Sequence, residues 1–168
     1  ALGALTTGAG NTAIGYQAGL LNTTGGGNTY IGADVADATH VDSSHNTVIG
    51  QTSFGGSHTG SASNYNVVVG RAAMIGALNG VDGAVAIGYG SLSALTTGEK
   101  NIAIGYQAQL SSTTGNRNTV IGHGAFRTAD AGEDFNTVIG SEAGYYINND
   151  ASHDNVIVGK NALQGGTG

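Results

Sequence analysis

A five-residue motif that recurs nine times is the feature that most constrains how this chain can fold. It opens with Asn in eight copies, continues through three mostly apolar residues and closes with Gly in all nine. The closing glycines follow one another at intervals of 17, 18, 20, 18, 17, 17, 18 and 19 residues. Such a period is typical of one coil of a β-solenoid and is too short for a helical hairpin or a propeller blade. The copies span residues 11–15, 28–32, 46–50, 66–70, 84–88, 101–105, 118–122, 136–140 and 155–159.

The remainder of each coil is also regular. A small or β-branched residue follows the closing Gly by three positions, and a large apolar residue usually comes one or two positions later. We interpret this pattern as a second short strand, joined to the first at the Gly. A polar return loop carries the variation in coil length, as at 43–45 and 55–65. The sequence therefore predicts an all-β solenoid of about nine coils of 17–20 residues, with two short strands per coil.

A longer repeat lies on top of the coils. Residues 2–50 align without a gap on residues 92–140, an offset of 90 residues or five coils. This predicts a single repeat domain over 1–168, built from two five-coil blocks at about 1–90 and 91–168, the second incomplete. Because the sequence starts inside one coil and stops inside another, we expect it to be a segment of a longer fibre.

The closing Gly should form a structural corner. Glycine at a fixed position suggests either a positive φ or a close approach of stacked backbones, where a Cβ would clash with the next coil. The corner residues are Gly15, Gly32, Gly50, Gly70, Gly88, Gly105, Gly122, Gly140 and Gly159.

The opening Asn should form a ladder along the solenoid axis. Amides stacked at the inter-strand spacing of about 4.8 Å can hydrogen-bond to one another. The ladder residues are Asn11, Asn28, Asn46, Asn66, Asn101, Asn118, Asn136 and Asn155.

The three residues between Asn and Gly predict an oligomer. Strand alternation places the first and third on one face, and because the third is always Ile or Val we assign that face to the coil interior. The middle residue is never polar, and would form an outer apolar stripe roughly 40 Å long, which a soluble monomer rarely exposes. We therefore expect a homotrimer, in which two identical chains cover the stripe. Its residues are Ala13, Tyr30, Val48, Val68, Ala86, Ala103, Val120, Val138 and Ile157.

The strings NTAIGYQA at 11–18 and NIAIGYQA at 101–108 resemble known fibre repeats. They are similar to the head repeats of trimeric autotransporter adhesins (YadA-like, Hep/Hag) and to repeats of phage tail fibres. The resemblance covers essentially the whole chain and implies a left-handed, trimeric β-roll. It also implies a shaft or head segment of an extracellular fibre, on a virion tail or a bacterial cell surface, that mediates attachment to a host. These coils are longer than the usual adhesin repeat, so we expect their return loops to bulge outward.

Composition and charge narrow the range of partners. The net charge is −6 with only five Lys and Arg, which argues against nucleic acid as a partner. No apolar run is long enough to span a bilayer, so we expect no membrane insertion by this segment. Cysteine is absent, which excludes disulfides and thiolate metal sites.

No catalytic constellation stands out, and we expect neither an enzyme, a cofactor nor a metal site. The densest acidic group, Asp130, Glu133 and Asp134, is interpreted as a solvated loop rather than a catalytic pair. Two clusters with potential ion ligands lack a fixed ligand spacing. They are His40 and His45 with Asp37 and Asp42, and His153 with Asp150 and Asp154.

Aromatic residues are the candidates for contact with a host glycan or protein. Tyr16, Tyr89 and Tyr106 directly follow a corner Gly, where other coils carry small or polar residues. The longer loops 54–65 and 145–153 occupy equivalent coils of the two blocks and are stronger candidates for a contact surface. The candidate recognition residues are Tyr16, Phe54, Tyr65, Tyr89, Tyr106, Tyr145 and Tyr146.

Two alternative functions remain at this point. One is a glycan-binding or glycan-degrading tail spike, and the other is an ice-binding solenoid. The second would use the repeated Thr that follows Asn, but Val or Ile interrupts this row. Alternation also places the row on the assigned inward face, which disfavours ice binding. The Thr residues are Thr12, Thr29, Thr47, Thr119 and Thr137.

Overall fold

The computed structural model describes residues 1–58, 60–147 and 152–164, which form nine short strands in one parallel sheet. Each strand pairs with the next in sequence, and equivalent motif residues are in register, as Ala13 with Tyr30. This confirms the all-β solenoid. The strands are β1 (Thr12–Ile14), β2 (Thr29–Ile31), β3 (Thr47–Ile49), β4 (Val67–Val69), β5 (Val85–Ile87), β6 (Ile102–Ile104), β7 (Thr119–Ile121), β8 (Thr137–Ile139) and β9 (Val156–Val158).

The prediction of a second strand in each coil is wrong. The residues two and four positions after each corner Gly have positive φ, as at Asp34 (52°) and Ala36 (49°). Alternate residues in the left-handed region curl the backbone into successive turns, so no extended strand can form. The coils nevertheless remain hydrogen-bonded here. The Asp34 N–H donates to Tyr16 of the preceding coil at 2.8 Å, and the Ala36 N–H donates to Ser53 of the following coil at 2.9 Å.

The corner glycines combine both predicted features. Their φ values lie between 125° and 144°, a region that side chains other than glycine rarely adopt. A Cβ on any of the first eight would also lie less than 3.0 Å from the backbone of the next coil's corner Gly. At Gly32, for example, the contact would be with the carbonyl oxygen of Gly50 at 2.8 Å. Gly159 differs, because among the described residues a Cβ there would meet only the Ala162 Cβ, at 3.7 Å.

The interior face of the strands is the opposite of the one predicted. Seven of the nine middle residues are completely buried inside the coil, Ile157 is 5% exposed and Ala13 is partly buried. They cannot form an inter-chain stripe, so that assignment is corrected. The physical reason is the Asn two positions earlier, which points inward and, by alternation, takes the middle residue with it. The corrected interior set is Ala13, Tyr30, Val48, Val68, Ala86, Ala103, Val120, Val138 and Ile157.

Candidate interaction surfaces

The first and third residues of every strand point outward and form a surface that we call the outer sheet face. The third position is Ile or Val throughout, and the first is Thr, Val or Ile. Exposure is highest at the ends of the sheet, with Ile14 at 59% and Val158 at 64%, and it is partial in the central strands. An exposed apolar stripe therefore exists, as the sequence predicts, but different residues form it. These are the third-position residues Ile14, Ile31, Ile49, Val69, Ile87, Ile104, Ile121, Ile139 and Val158.

The Asn ladder is present and lies at one edge of the interior. Asn11 Oδ1 accepts from the backbone N–H of Asn28 at 2.9 Å and from its Nδ2 at 3.1 Å. The same pair of bonds joins Asn28 to Asn46 and continues to Asn66. Ala84 interrupts the amide stack, although its N–H still donates to Asn66 Oδ1 at 2.8 Å. These contacts bury the amides, so their role is to join coils.

A second polar ladder, two residues before each Asn, was missed by the sequence analysis. The Asn64 N–H donates to the Asp82 carboxylate at 2.6 Å, and the Asn116 N–H donates to Asp134 at the same distance. The Glu99 N–H likewise donates to the Asn116 side-chain oxygen at 2.9 Å. The signal in the sequence is a recurring Ser, Asn, Asp or Glu at this position. Part of the acidic charge therefore stabilises the backbone between coils.

The densest acidic group does not act as a single surface cluster. Asp134 belongs to the second ladder, whereas the Glu133 side chain is completely buried, and among the described residues neither of its carboxylate oxygens has a hydrogen-bond partner. Burial is the main reason that the pKa of Glu133 is raised to about 7, with a smaller contribution from neighbouring Asp130.

The residues of the two potential ion-binding clusters are dispersed. His40 pairs with Asp42, and His153 pairs with Asp154 at 2.8 Å, while Asp150 lies outside the described residues. His45 instead stacks on Tyr65, with ring centroids 5.0 Å apart. Among the residues that the structure describes, no group of three or more acidic or His side chains could hold a metal. These described segments also contain no helix able to cross a membrane.

The candidate recognition residues fall into two groups. Tyr16, Tyr65, Tyr89, Tyr106 and Tyr146 are exposed. Phe54 was placed on the surface wrongly. It is completely buried, because it follows Gly50 by four residues and that position points into the coil. Tyr145 is partly buried beside Arg127, whose guanidinium lies 5.4 Å from its ring centroid.

The first part of the long loop after Phe54 is packed against the preceding coil, whereas Ser61 and Tyr65 further along are exposed. His58 packs edge-on against Phe54 with ring centroids 4.9 Å apart, and its N–H donates to Ala38 of the previous coil at 3.3 Å. Burial, and then the nearby His40, lower the pKa of His58 to about 4. Of the equivalent loop 145–153, residues 148–151 lie outside the described residues.

Three exposed side chains stack along the axis immediately after the corner glycines. Tyr89 lies 5.3 Å from Tyr106, and Tyr106 lies 5.2 Å from His123, measured between ring centroids, with planes within 16° of parallel. They belong to what we call the corner column, the residue after each corner Gly. It consists of Tyr16, Ala33, Gln51, Arg71, Tyr89, Tyr106, His123, Ser141 and Lys160.

Comparison of the chain with protein-family models, with curated proteins and with solved structures finds no match. Functional inference therefore depends on the surfaces described above.

Proposed function

We propose that this chain is a shaft or head segment of an extracellular trimeric fibre, of the phage tail fibre or bacterial adhesin type, that attaches to a host surface. The observation that carries the proposal is the outer sheet face. Its Ile and Val column runs the full length of the nine-stranded sheet, and soluble monomers rarely expose so long an apolar stripe. The resemblance of the NTAIGYQA strings to fibre repeats supports the same conclusion.

A closed trimer would cover the outer sheet face. Three copies that turn their outer sheet faces toward a common axis would bury the Ile and Val columns together, and rotational closure leaves no open end to polymerise laterally. The parallel sheet would then be covered on both sides, by the coil interior and by the sister chains. This is the environment that parallel sheets usually require.

The two ladders of hydrogen bonds suit such a segment to a mechanical role. Every coil is joined to its neighbours by strand pairing and by the turn backbone, and the Asn amides add further bonds except where Ala84 interrupts the ladder. Such a rod can hold a binding tip at a distance or present its own side wall to a host surface.

Sedimentation equilibrium tests the oligomer directly. We expect a trimer for the unmodified chain and a monomer for Ile104→Lys combined with Ile121→Lys, because buried unpaired charges oppose association. Ser61→Lys, in an exposed loop, is the control and should remain trimeric. Far-ultraviolet circular dichroism should show that all three proteins retain β-structure. A compact, stable monomer of the unmodified chain would overturn the proposal.

Ice binding is a second candidate, because the structure removes one objection to it. Thr12, Thr29 and Thr47 lie on the outer sheet face rather than inside the coil. Their row is still interrupted in three consecutive coils by Val67, Val85 and Ile102. A trimer would cover this face, so the two functions exclude each other. Ice-crystal shaping by the monomeric chain would favour ice binding over the fibre.

A further inference from the structure

The stacked rings of the corner column are not needed by the fold. Gly90, after Tyr89, donates its N–H to Arg71 of the preceding coil, and Gln107 donates in the same way to Tyr89. Ala72 makes the equivalent bond to Gln51, where no ring is present. The same backbone hydrogen bonds form whether the column residue is Gln, Arg or Tyr. The fold therefore does not require aromatic side chains at these positions.

These rings are also exposed and held in place. Tyr89 is 43% exposed and Tyr106 is 47% exposed, although each lies against at least one neighbouring ring. Stacking restricts their rotation, so a ligand that binds there loses little further side-chain entropy.

The surroundings of the stack are mostly apolar. On the strand side lie the third-position residues Ile87, Ile104 and Ile121, each partly exposed. The residues that directly follow the rings are Gly90, Gln107 and Gly124, so Gln107 contributes the one side chain of this row. Glu142 lies in the next coil, where its N–H donates to the His123 carbonyl at 2.8 Å. The edges of the rings remain exposed beside this apolar strip.

Positive charge stands at both ends of this stretch. Arg71 lies one coil before Tyr89, and Lys160 lies two coils after His123. Both are exposed, and within the described residues neither makes an ion pair. The chain has only five Lys and Arg against eleven Asp and Glu, and no acidic residue occupies the corner column. The charged residues of the column itself are therefore cationic on an acidic protein, although Glu142 directly follows Ser141.

We propose that the corner column from Arg71 to Lys160 binds an acidic glycan, laid along the rod axis. The sugar rings would lie against the exposed edges of the stacked rings, outside the outer sheet face that a trimer would cover, and the two Tyr hydroxyls would hydrogen-bond to sugar hydroxyls. Carboxylates of the glycan would pair with Arg71 and Lys160, which are separated by five coil steps, or roughly 24 Å. The inference names a ligand class beyond the fibre proposal and does not require the trimer.

Isothermal titration calorimetry with a short alginate oligosaccharide, in which every sugar carries a carboxylate, tests this site. A maltodextrin of the same length supplies the neutral comparison. The variants take residues that the same column holds in other coils, so they should fold. They are Tyr106→Ser, Arg71→Gln and the matched control Tyr16→Ser, which removes a column Tyr outside the stack.

We expect alginate to bind the unmodified chain, with affinity that falls as salt rises. Tyr106→Ser should weaken binding at least about tenfold, and Arg71→Gln should weaken it about threefold or more and reduce the salt dependence. Tyr16→Ser should bind normally, and maltodextrin should bind at least about tenfold more weakly than alginate.

Four results would overturn the proposal: no binding of alginate at low salt, equal binding by Tyr106→Ser, equal loss in Tyr16→Ser, or equal affinity for maltodextrin. Sedimentation of the same samples reports the oligomer separately. A trimer that fails to bind alginate overturns this site alone, whereas a monomer that binds it overturns only the trimer.

Discussion

The second and seventh coils share one backbone and fill it with different side chains. They occupy equivalent places in the two five-coil blocks, and their corner φ values are 142° at Gly32 and 144° at Gly122. The second coil places Tyr30 inside, completely buried, where the seventh places Val120. The same backbone therefore accommodates interior residues of very different volume.

The preceding coil supplies the compensation. Gly19 faces Tyr30, and a Cβ on it would lie 2.7 Å from the tyrosine ring. At the position equivalent to Gly19, the sixth coil has Gln109, which is completely buried. Gly144 occupies the same position in the eighth coil but is less crowded, since a Cβ there would meet Phe126 at 3.2 Å and Ile157 at 3.5 Å. Interior volume is thus shared between neighbouring coils, as close packing requires.

The largest effect should come from the corner that both coils share. Gly32→Ala and Gly122→Ala should each cost about 4 kcal/mol or more, because the new Cβ collides with the backbone of the next coil. Gly159→Ala is the matched control. The substitution places Ala at a similar φ without the collision and should cost only about 1–3 kcal/mol. Urea denaturation measures all three, and equal losses would show that φ alone requires glycine.

The volume exchange can be tested by a double-mutant cycle. Tyr30→Val should cost about 3 kcal/mol by leaving a cavity, and Gly19→Gln alone should cost about 1–3 kcal/mol by overpacking against Tyr30. Together the two substitutions recreate the pair found at Gln109 and Val120. The double variant should therefore lose at least about 1 kcal/mol less stability than the two single losses added together. Simple additivity in thermal unfolding would contradict the compensation.

Residues 43 and 133 are equivalent but respond differently to pH. Ser43 Oγ accepts from the Ser63 N–H at 3.1 Å, whereas the buried Glu133 carboxylate has no hydrogen-bond partner in the part of the chain that the structure describes. The pKa of Glu133 is raised from 4.5 to about 7, so the unfolded state loses its proton first and stability falls as pH rises between these values. Glu133→Gln should stabilise the protein by about 2–3 kcal/mol above pH 7.5 and have little effect below pH 4.

Unfolding free energies measured across this pH range check the result. Glu133→Gln should still lose unfolding free energy at acid pH, because His58 causes that loss. The pKa of His58 is lowered from 6.5 to about 4, so its penalty grows as pH falls between these values. A pH profile unchanged by Glu133→Gln would show that this carboxyl is not buried in solution.

The smallest effect concerns the left-handed residues at Gln17 and Gln107, which have φ values of 52°. Replacing either with Gly removes backbone strain but adds freedom to the unfolded chain, so each should change stability by less than about 1 kcal/mol, and by the same amount. Chemical denaturation should give matching values for the two variants. A large difference would show that the two blocks do not share this turn.

Periodicity is the part of the fold that the sequence revealed most fully. The Asn ladder and the Gly corner could each be predicted from one recurring residue type. A buried amide needs a hydrogen-bond partner at the strand spacing, and a Cβ has no room at the corner. The prediction of which strand face lies inside the coil was wrong, because the Ile and Val residues suggested burial. The inward Asn28, buried at one edge of the same coil, was the better guide, since alternation links it to Tyr30.

Sequence alone therefore determined the coil length, the parallel register and the positions of Asn and Gly, because these recur in phase and each has a single local cause. Only the tertiary structure decided which face is interior, that the second half of each coil is a chain of left-handed turns, and which rings stack. These features depend on contacts between coils some 17–20 residues apart. The outward Ile column and the exposed Tyr106 stack, on which both proposals depend, emerged only when the coils were stacked.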